Sequence, residues 1–241
     1  MSQPCPGPGT KARRGRLAAL AGLLALISTA AQAQSPCPAR PNWSSNPQMR
    51  FTTQQVDGRP VLLAEGVIDE DMLPRLGEAL AGFEGREVWL RSPGGSARAG
   101  DMAGRLIRDR NLATRVPSGW ACAGACAFMF LGGVPRTVAP GGALMVQMFT
   151  HTGENGIVEE VARGGAQAER VLNEVRENSI MWATEETDYL IRMGVSRSLL
   201  SDIVYQTRAF DSAGNPAPPR CLSAEEMRRY NVVTAGEPPS G

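Results

Sequence analysis

Apolar and polar positions follow two rhythms along the chain, and each change of rhythm indicates a new element. Two strand-like runs lie within residues 51–67 and are joined by a turn at residues 57–60. Over residues 69–83 apolar side chains recur at helical spacing behind acidic residues, which predicts an amphipathic helix. The strand at residues 87–90 leads through RSPGGS into a second amphipathic helix over residues 100–111.

The same rhythm continues toward the C-terminus, where helices dominate. In the second amphipathic helix we expect Met102, Leu106 and Ile107 to face the core. Ser223 and Glu226 have the spacing of a capping box and predict the start of a last helix. The other predicted elements are strands at residues 112–116, 136–138 and 143–148, a turn at 118–121, helices at 125–131, 157–193 and 197–207, and an edge strand at 231–234. This order favours an α/β fold with its ligand site at strand ends.

The N-terminus has the pattern of a secretory signal peptide. Four basic residues between positions 11 and 16 precede the apolar run 17–31, and Ala-Gln-Ala follows at 31–33. A membrane anchor is the alternative, but a run of about 15 residues is shorter than the roughly 20 that span a bilayer. We therefore predict cleavage after Ala33, no stable membrane span afterwards, and export to the periplasm or the medium.

The predicted mature chain has three parts. Residues 34–50 are rich in Pro, Ser and Asn and predict an extended arm, residues 51–235 form one domain, and residues 236–241 are expected to be a disordered tail. The chain has 25 basic and 24 acidic side chains, which argues against nucleic acid as the main partner. Only 5% of its residues are aromatic, which argues against a stacking surface for single strands.

Export changes how the cysteines are interpreted. Cys5 would leave with the signal peptide, and four cysteines would remain in an oxidising compartment. Of the three possible pairings we favour Cys122–Cys126 with Cys37–Cys221. A zinc site is less favoured, because the sequence contains one histidine and no pair of Cys-x-x-Cys motifs. We expect no metal and no cofactor.

Two glycine-containing turns connect a predicted strand to a predicted helix. Ser-Pro-Gly-Gly at residues 92–95 would allow backbone N–H groups to approach a ligand. ACAGACAF, starting at residue 121, would offer N–H groups at the positive end of a helix. Either turn alone is most simply an ordinary connection. Two such turns about 30 residues apart can face one another and hold one carbonyl oxygen.

Four segments in order resemble the Clp-type serine peptidase and crotonase-like superfamily, in particular its exported bacterial branch. These segments are VWLRSPGGSARAGDMAGRLI, CAGACAFMFLGG, RTVAPGGALMVQ and LSAEEMRRYNVVT. The resemblance covers roughly residues 60–235 and implies a single domain built as a spiral of β-β-α units. It also implies an oxyanion hole formed by the backbone of Gly94, Gly95 and Ala125.

The catalytic side chains that the resemblance implies are absent. Gly124 stands at the position of the nucleophilic serine, Gln147 at that of the general-base histidine, and Gln206 is the best match for the acid. Glycine has no nucleophile, and glutamine does not take up a proton near neutral pH. These positions predict a pseudoenzyme that binds a peptide or protein segment in the retained oxyanion cleft. Family resemblance also makes a homo-oligomer plausible.

Two catalytic alternatives remain. Cys126 or Cys122 paired with His151 would make an active hydrolase, although an exported thiol tends to oxidise. A crotonase-like enzyme would use the oxyanion hole to stabilise an enolate, but it needs an acid or base, and the sequence indicates no suitable carboxylate. We favour binding over either activity.

Overall fold

The computed structural model describes residues 37–148, 157–208, 210, 212 and 217–234, without the side chains of residues 158 and 159. The predicted signal peptide, His151 and the predicted tail lie outside these residues. The strands are β1 (Arg50–Val56), β2 (Arg59–Glu65), β3 (Glu87–Arg91), β4 (Ala113–Val116), β5 (Ala121–Ala123), β6 (Arg136–Val138), β7 (Ala143–Val146) and β8 (Arg220–Cys221). The helices are α1 (Met72–Ala81), α2 (Ala97–Asp109), α3 (Ala125–Leu131), α4 (Ile157–Arg163), α5 (Gly165–Arg192), α6 (Ser198–Gln206) and α7 (Ala224–Arg229).

The strands form two sheets, and individual β-β-α units contribute strands to both. The larger sheet has the order β1-β2-β3-β4-β6, and only the β1–β2 hairpin is antiparallel. The smaller sheet has the order β5-β7-β8. In the pairs β4–β5 and β6–β7 the first strand joins the larger sheet and the second joins the smaller one. A helix follows each pair, so the predicted α/β fold with β-β-α units is confirmed.

Local sequence explains the hairpin and the central strands. Asp57 and Gly58 have φ angles of 50° and 72°, the left-handed pair that a two-residue hairpin turn needs. Val61, Leu62, Leu63 and Ala64 of β2 are all buried. A continuous apolar run is expected for a strand that parallel neighbours and helices cover on both faces.

Helix α2 packs through its small residues, contrary to the prediction. Ala99, Ala103 and Ile107 are buried, whereas Met102 and Leu106 are 45% and 37% exposed. The reason is the close approach of α2 to α3. A β-carbon at Gly104 would lie 2.6 Å from the carbonyl oxygen of Phe128. Met102 and Leu106 therefore do not fit at the interface with α3. Of the three residues predicted to face the core, only Ile107 does so.

The predicted edge strand at residues 231–234 is not a strand. The segment is instead held by the buried guanidinium of Arg136, which donates to the carbonyl oxygens of Asn231 and Val232 at 2.7 Å each. Arg136 also donates to the carbonyl oxygens of Leu131, Gly133 and Met193. Burial, and then the nearby charge of Arg108, lower the pKa of Arg136 to about 10. One side chain thus fastens the C-terminal segment to α3 and to the end of α5.

The helical predictions hold with two adjustments. The long helical region is divided into α4 and α5 at Gly164 and Gly165, whose φ angles are 71° and 73°. Helix α7 has the predicted capping box, since Ser223 Oγ accepts from Glu226 N at 3.1 Å and Glu226 Oε2 accepts from Ser223 N at 2.8 Å. The helix predicted over residues 69–83 is shorter and has no acid in its first turn.

The cysteines are paired as favoured from the sequence. Cys37 is bonded to Cys221, and Cys122 is bonded to Cys126. The first bond joins the N-terminal arm to β8. The arm also contacts the domain through Met49, whose N–H donates to Asp69 Oδ2 at 2.9 Å. Among the described helices, none is both long enough and apolar enough to cross a membrane.

Candidate functional site

The turn between β5 and α3 is built around Gly124. This residue has φ 54° and ψ −120°, a conformation that strongly favours glycine. Its N–H donates to the carbonyl oxygen of Met145 on β7 at 3.1 Å, and its carbonyl oxygen accepts from Ala127 N at 2.9 Å. Hydrogen bonds therefore fix the turn on both sides of the point where α3 begins.

The SPGG turn lies directly beside it. Ser92 N donates to the carbonyl oxygen of Ala121, and Ala123 N donates to that of Ser92, both at 3.0 Å. Contact is so close that a β-carbon at Gly94 would stand 2.8 Å from the carbonyl oxygen of Ala123. Because Gly94 and Gly95 also have φ angles of 103° and 141°, side chains are excluded there twice over.

Two of the three residues predicted as backbone donors line the same cavity. Neither Gly95 N–H nor Ala125 N–H takes part in a backbone hydrogen bond among the described residues. Both residues line one cavity of about 450 Å³. Gly94 N–H, in contrast, donates to Ser92 Oγ at 3.1 Å. The pair available to a ligand oxygen is therefore Gly95 and Ala125.

We call this cavity the central cleft. It lies between the two turns on one side and helices α5 and α6 on the other. Its described lining residues are Gly95, Ala97, Gly124, Ala125, Ala127, Phe128, Leu131, Val146, Gln147, Met148, Ser179, Trp182, Ala183, Glu186, Leu190, Leu199, Leu200, Ile203 and Val204.

Gln147 follows β7 and lies over Gly124. A β-carbon placed on Gly124 would be 3.4 Å from Gln147 Nε2 and 3.6 Å from Cδ. The positions that the resemblance assigned to nucleophile and base are thus adjacent in space. Gln206 does not join them, since it is exposed at the end of α6 and is not among the residues that line the central cleft.

Glu186 is a site residue that the sequence did not reveal. It lies on α5, lines the central cleft and is half-buried. Burial raises the pKa of its carboxyl group, with a further contribution from Asp101, to about 7. No carboxylate was predicted for this site, because Glu186 belongs to a long polar helix in which the neighbouring acids Glu185 and Asp188 have the same sequence pattern. The fold distinguishes it.

The cysteines of the turn are not available as thiols. Cys122 and Cys126 are both buried and bonded to each other. Thiolate character is needed for nucleophilic attack, and a disulfide sulfur lacks it. Within the ranges that the structure describes, no three His, Cys, Asp or Glu residues are grouped as a metal site.

Comparison with known proteins gives structural matches only. No family model and no curated protein sequence matches the chain. A mutant of ClpP1 from Listeria monocytogenes is similar in structure, with 17% identity, a TM-score of 0.45, and coverage of 72% of this chain and 88% of that one. A mutant of the membrane-bound stomatin-specific protease 1510-N has 14% identity and a TM-score of 0.47, covering 72% and 75%. Unmutated ClpP1 from Listeria monocytogenes gives 15% and 0.46, with the same coverage as its mutant.

Proposed function

We propose that this protein is an exported, catalytically silent relative of Clp-type serine peptidases that captures an extended peptide segment in the central cleft. The observation that supports this most directly is the position of Gln147 Nε2, 3.4 Å from where a β-carbon on Gly124 would stand. A glycine and an amide occupy the place of a nucleophile and its base, while the donors Gly95 and Ala125 remain beside them.

The other nucleophiles near the central cleft are engaged. Ser92 is fully buried, and its Oγ accepts from Gly94 N. Ser179 Oγ donates to the carbonyl oxygen of Val175 at 2.7 Å within α5. Cys122 and Cys126 share a disulfide. A hydroxyl or thiol needs an adjacent base before it attacks a carbonyl, and the lining includes no histidine among the described residues.

The shape and chemistry of the central cleft suit a peptide. Its volume of about 450 Å³ lies within the range of small-ligand sites. Apolar side chains, including alanine, methionine and tryptophan as well as larger aliphatic ones, form most of its described wall, which suits apolar side chains of a ligand. The N–H groups of Gly95 and Ala125 suit a backbone carbonyl oxygen. An extended peptide offers both kinds of group at regular spacing.

The alternative is an active hydrolase that uses Cys126 or Cys122 with His151. It requires reduction of the Cys122–Cys126 bond before either sulfur can react. His151 lies outside the described residues. A thiol-directed acylating probe distinguishes the two functions, because labelling of one cysteine in the reduced protein would favour the hydrolase and absence of labelling would contradict it.

Self-association through the long helical segment is a further expectation. Helix α5 carries several apolar side chains that are more than half exposed, namely Leu172, Ile180, Met181 and Ile191. Exposed apolar side chains on one helix are typical of an interface. Sedimentation of the protein from residue 34, compared with an Ile180→Glu, Met181→Glu variant, tests this expectation.

A paired substitution tests peptide capture. Ala183 and Thr184 are neighbours on α5 and both exposed, but only Ala183 lines the central cleft. We expect a fluorescein-labelled Ala-Leu-Nle-Leu-Ala peptide (Nle, norleucine) to bind the wild type without being cleaved. Ala183→Trp should abolish the anisotropy change, and Thr184→Trp should preserve it. Cleavage of the peptide, or equal binding by both variants, would contradict the proposal.

A further inference from the structure

Glu186 is the one ionisable side chain among the described residues that line the central cleft. We propose that this carboxylate makes the central cleft selective for a peptide segment that carries a lysine or arginine side chain. The inference rests on the proposed peptide capture and adds the chemical class of the ligand to it.

The carboxylate of Glu186 has no partner of opposite charge within the described part of the chain. Among the described residues its carboxylate forms neither an ion pair nor a hydrogen bond. Its companions in the lining from α5 and α6 are mostly apolar, including Leu190, Leu199 and Ile203. An ionised carboxylate in such surroundings is costly unless a cation or donor meets it. A cationic ligand group would supply that partner and leave the solvent at the same time.

Neighbouring charges add to this preference. Asp101 on α2 is the charged group that acts on Glu186. It forms an ion pair with Arg105 at 2.6 Å. Arg105 is therefore already committed, and it also lies over the Tyr189 ring at 5.3 Å. On α5 itself Glu185 and Asp188 are exposed acids, while α3 and α6 present apolar residues to the cleft. The neighbouring charge that acts on Glu186 is the negative one of Asp101, which favours a cation beside the carboxylate.

The central cleft offers a peptide two kinds of polar partner. The donors Gly95 and Ala125 suit a backbone carbonyl oxygen, and Glu186 suits a side-chain cation. The rest of the described wall is mostly apolar, which suits the methylene stem of a lysine or arginine. A ligand that pairs with both the backbone donors and Glu186 should bind more tightly than one that pairs with either alone, because neither the donors nor the carboxylate is then left unpaired.

The direction of the pH dependence follows from the carboxyl group. Burial and the Asp101 charge raise the pKa of Glu186 to about 7, so protonation removes its charge on the acid side. A cation binds the ionised form, and affinity for a lysine peptide should therefore increase as pH rises through 7. If the neutral carboxyl group instead donated a hydrogen bond to a peptide carbonyl, affinity would decrease over the same range.

The experiment compares three labelled pentapeptides, Ala-Leu-X-Leu-Ala, with X as lysine, norleucine or glutamate. Anisotropy titrations at pH 5.5, 7 and 8.5 give the dissociation constants. We expect the lysine peptide to bind about tenfold more tightly than the norleucine peptide at pH 8.5. This preference should shrink at pH 5.5, and the glutamate peptide should bind most weakly at pH 8.5.

Matched variants assign the effect to the residue. Glu186→Gln should remove the lysine preference and keep norleucine binding, whereas Glu185→Gln, its exposed neighbour outside the cleft, should keep both. Equal binding of the lysine and norleucine peptides would overturn this inference and leave peptide capture standing. Persistence of the preference in Glu186→Gln would do the same. Failure of all three peptides to bind would overturn the proposed function and this inference with it.

Discussion

The side-chain amide of Gln147 lies over Gly124, and its Nε2 atom is 3.4 Å from the point where a β-carbon on that glycine would stand. The contact joins the end of β7 to the turn between β5 and α3. Main-chain hydrogen bonding supports the same arrangement, since Gly124 N donates to Met145 O at 3.1 Å. The two positions can therefore be changed together to test the geometry of the site.

Restoring a nucleophile and a base should create reactivity. In Gly124→Ser with Gln147→His, the introduced hydroxyl and imidazole would be adjacent, beside the N–H groups of Gly95 and Ala125. We expect a fluorophosphonate probe to label the double variant at the introduced serine and to leave the wild type unlabelled. Gly119→Ser with Gln147→His is the control, because Gly119 also has a positive φ, 75°, but lies in open space. Equal labelling of both variants, or labelling of the wild type, would contradict the assignment of the site.

The close contact at Gly94 should be visible as a loss of stability. A methyl group there would lie 2.8 Å from the backbone oxygen of Ala123 and would keep a φ of 103°. We expect Gly94→Ala to lower the free energy of unfolding by about 2–4 kcal/mol. Gly58→Ala, at φ 72° with open space around it, should cost about 1 kcal/mol. Urea denaturation measures both, and equal losses would show that the two turns do not pack as described.

Removal of the Arg136 guanidinium should loosen the C-terminal segment. Arg136→Met leaves the carbonyl oxygens of Asn231 and Val232 without the donor that satisfies them. We expect a loss of about 2–4 kcal/mol, because unpaired buried acceptors are costly. Amide exchange should accelerate at residues 231–234. Arg59→Met at an exposed position of β2 is the control, and a loss of similar size there would argue against this role for Arg136.

The two disulfides should contribute unequally. Cys37 and Cys221 are 184 residues apart, whereas Cys122 and Cys126 are four apart. Because a cross-link restricts the unfolded chain more when its loop is long, Cys37→Ala with Cys221→Ala should cost about 2–5 kcal/mol. Cys122→Ala with Cys126→Ala should cost less through chain entropy. Thermal unfolding with and without dithiothreitol measures both losses of stability. A larger loss on removal of Cys122–Cys126 would contradict the expected order.

The carboxyl group of Glu186 should give stability a characteristic pH dependence. Its pKa is raised from 4.5 to about 7 on folding, so the native state holds a proton that the unfolded state has released between these values. The free energy of unfolding therefore decreases as pH rises from 4.5 to 7. Glu186→Gln lacks this loss and should gain about 1–3 kcal/mol over the wild type at pH 8, with little gain at pH 4. A gain that does not vary with pH would contradict the burial of this group.

Sequence patterns predicted the elements that depend on local chemistry. The hairpin at Asp57, the capping box at Ser223 and both glycine turns follow from backbone preferences of a few adjacent residues. The same reasoning misplaced the buried face of α2, because Met102 and Leu106 have helical spacing but Gly100 and Gly104 allow α3 to approach closely. Periodicity reports which residues are apolar, and packing decides which of them fit.

By itself the sequence determined the two turns, the preferred cysteine pairing, and the glycine and glutamine at the expected catalytic positions. Only the tertiary structure decided which groups meet at the cleft. It engages Gly94 N–H with Ser92, leaves Gln206 outside, and brings Glu186 into a cavity with Gly124. The physical reason is distance along the chain. A turn is set by its own φ angles and by hydrogen bonds between neighbours, whereas a cleft is lined by helices whose positions follow from packing far away in sequence.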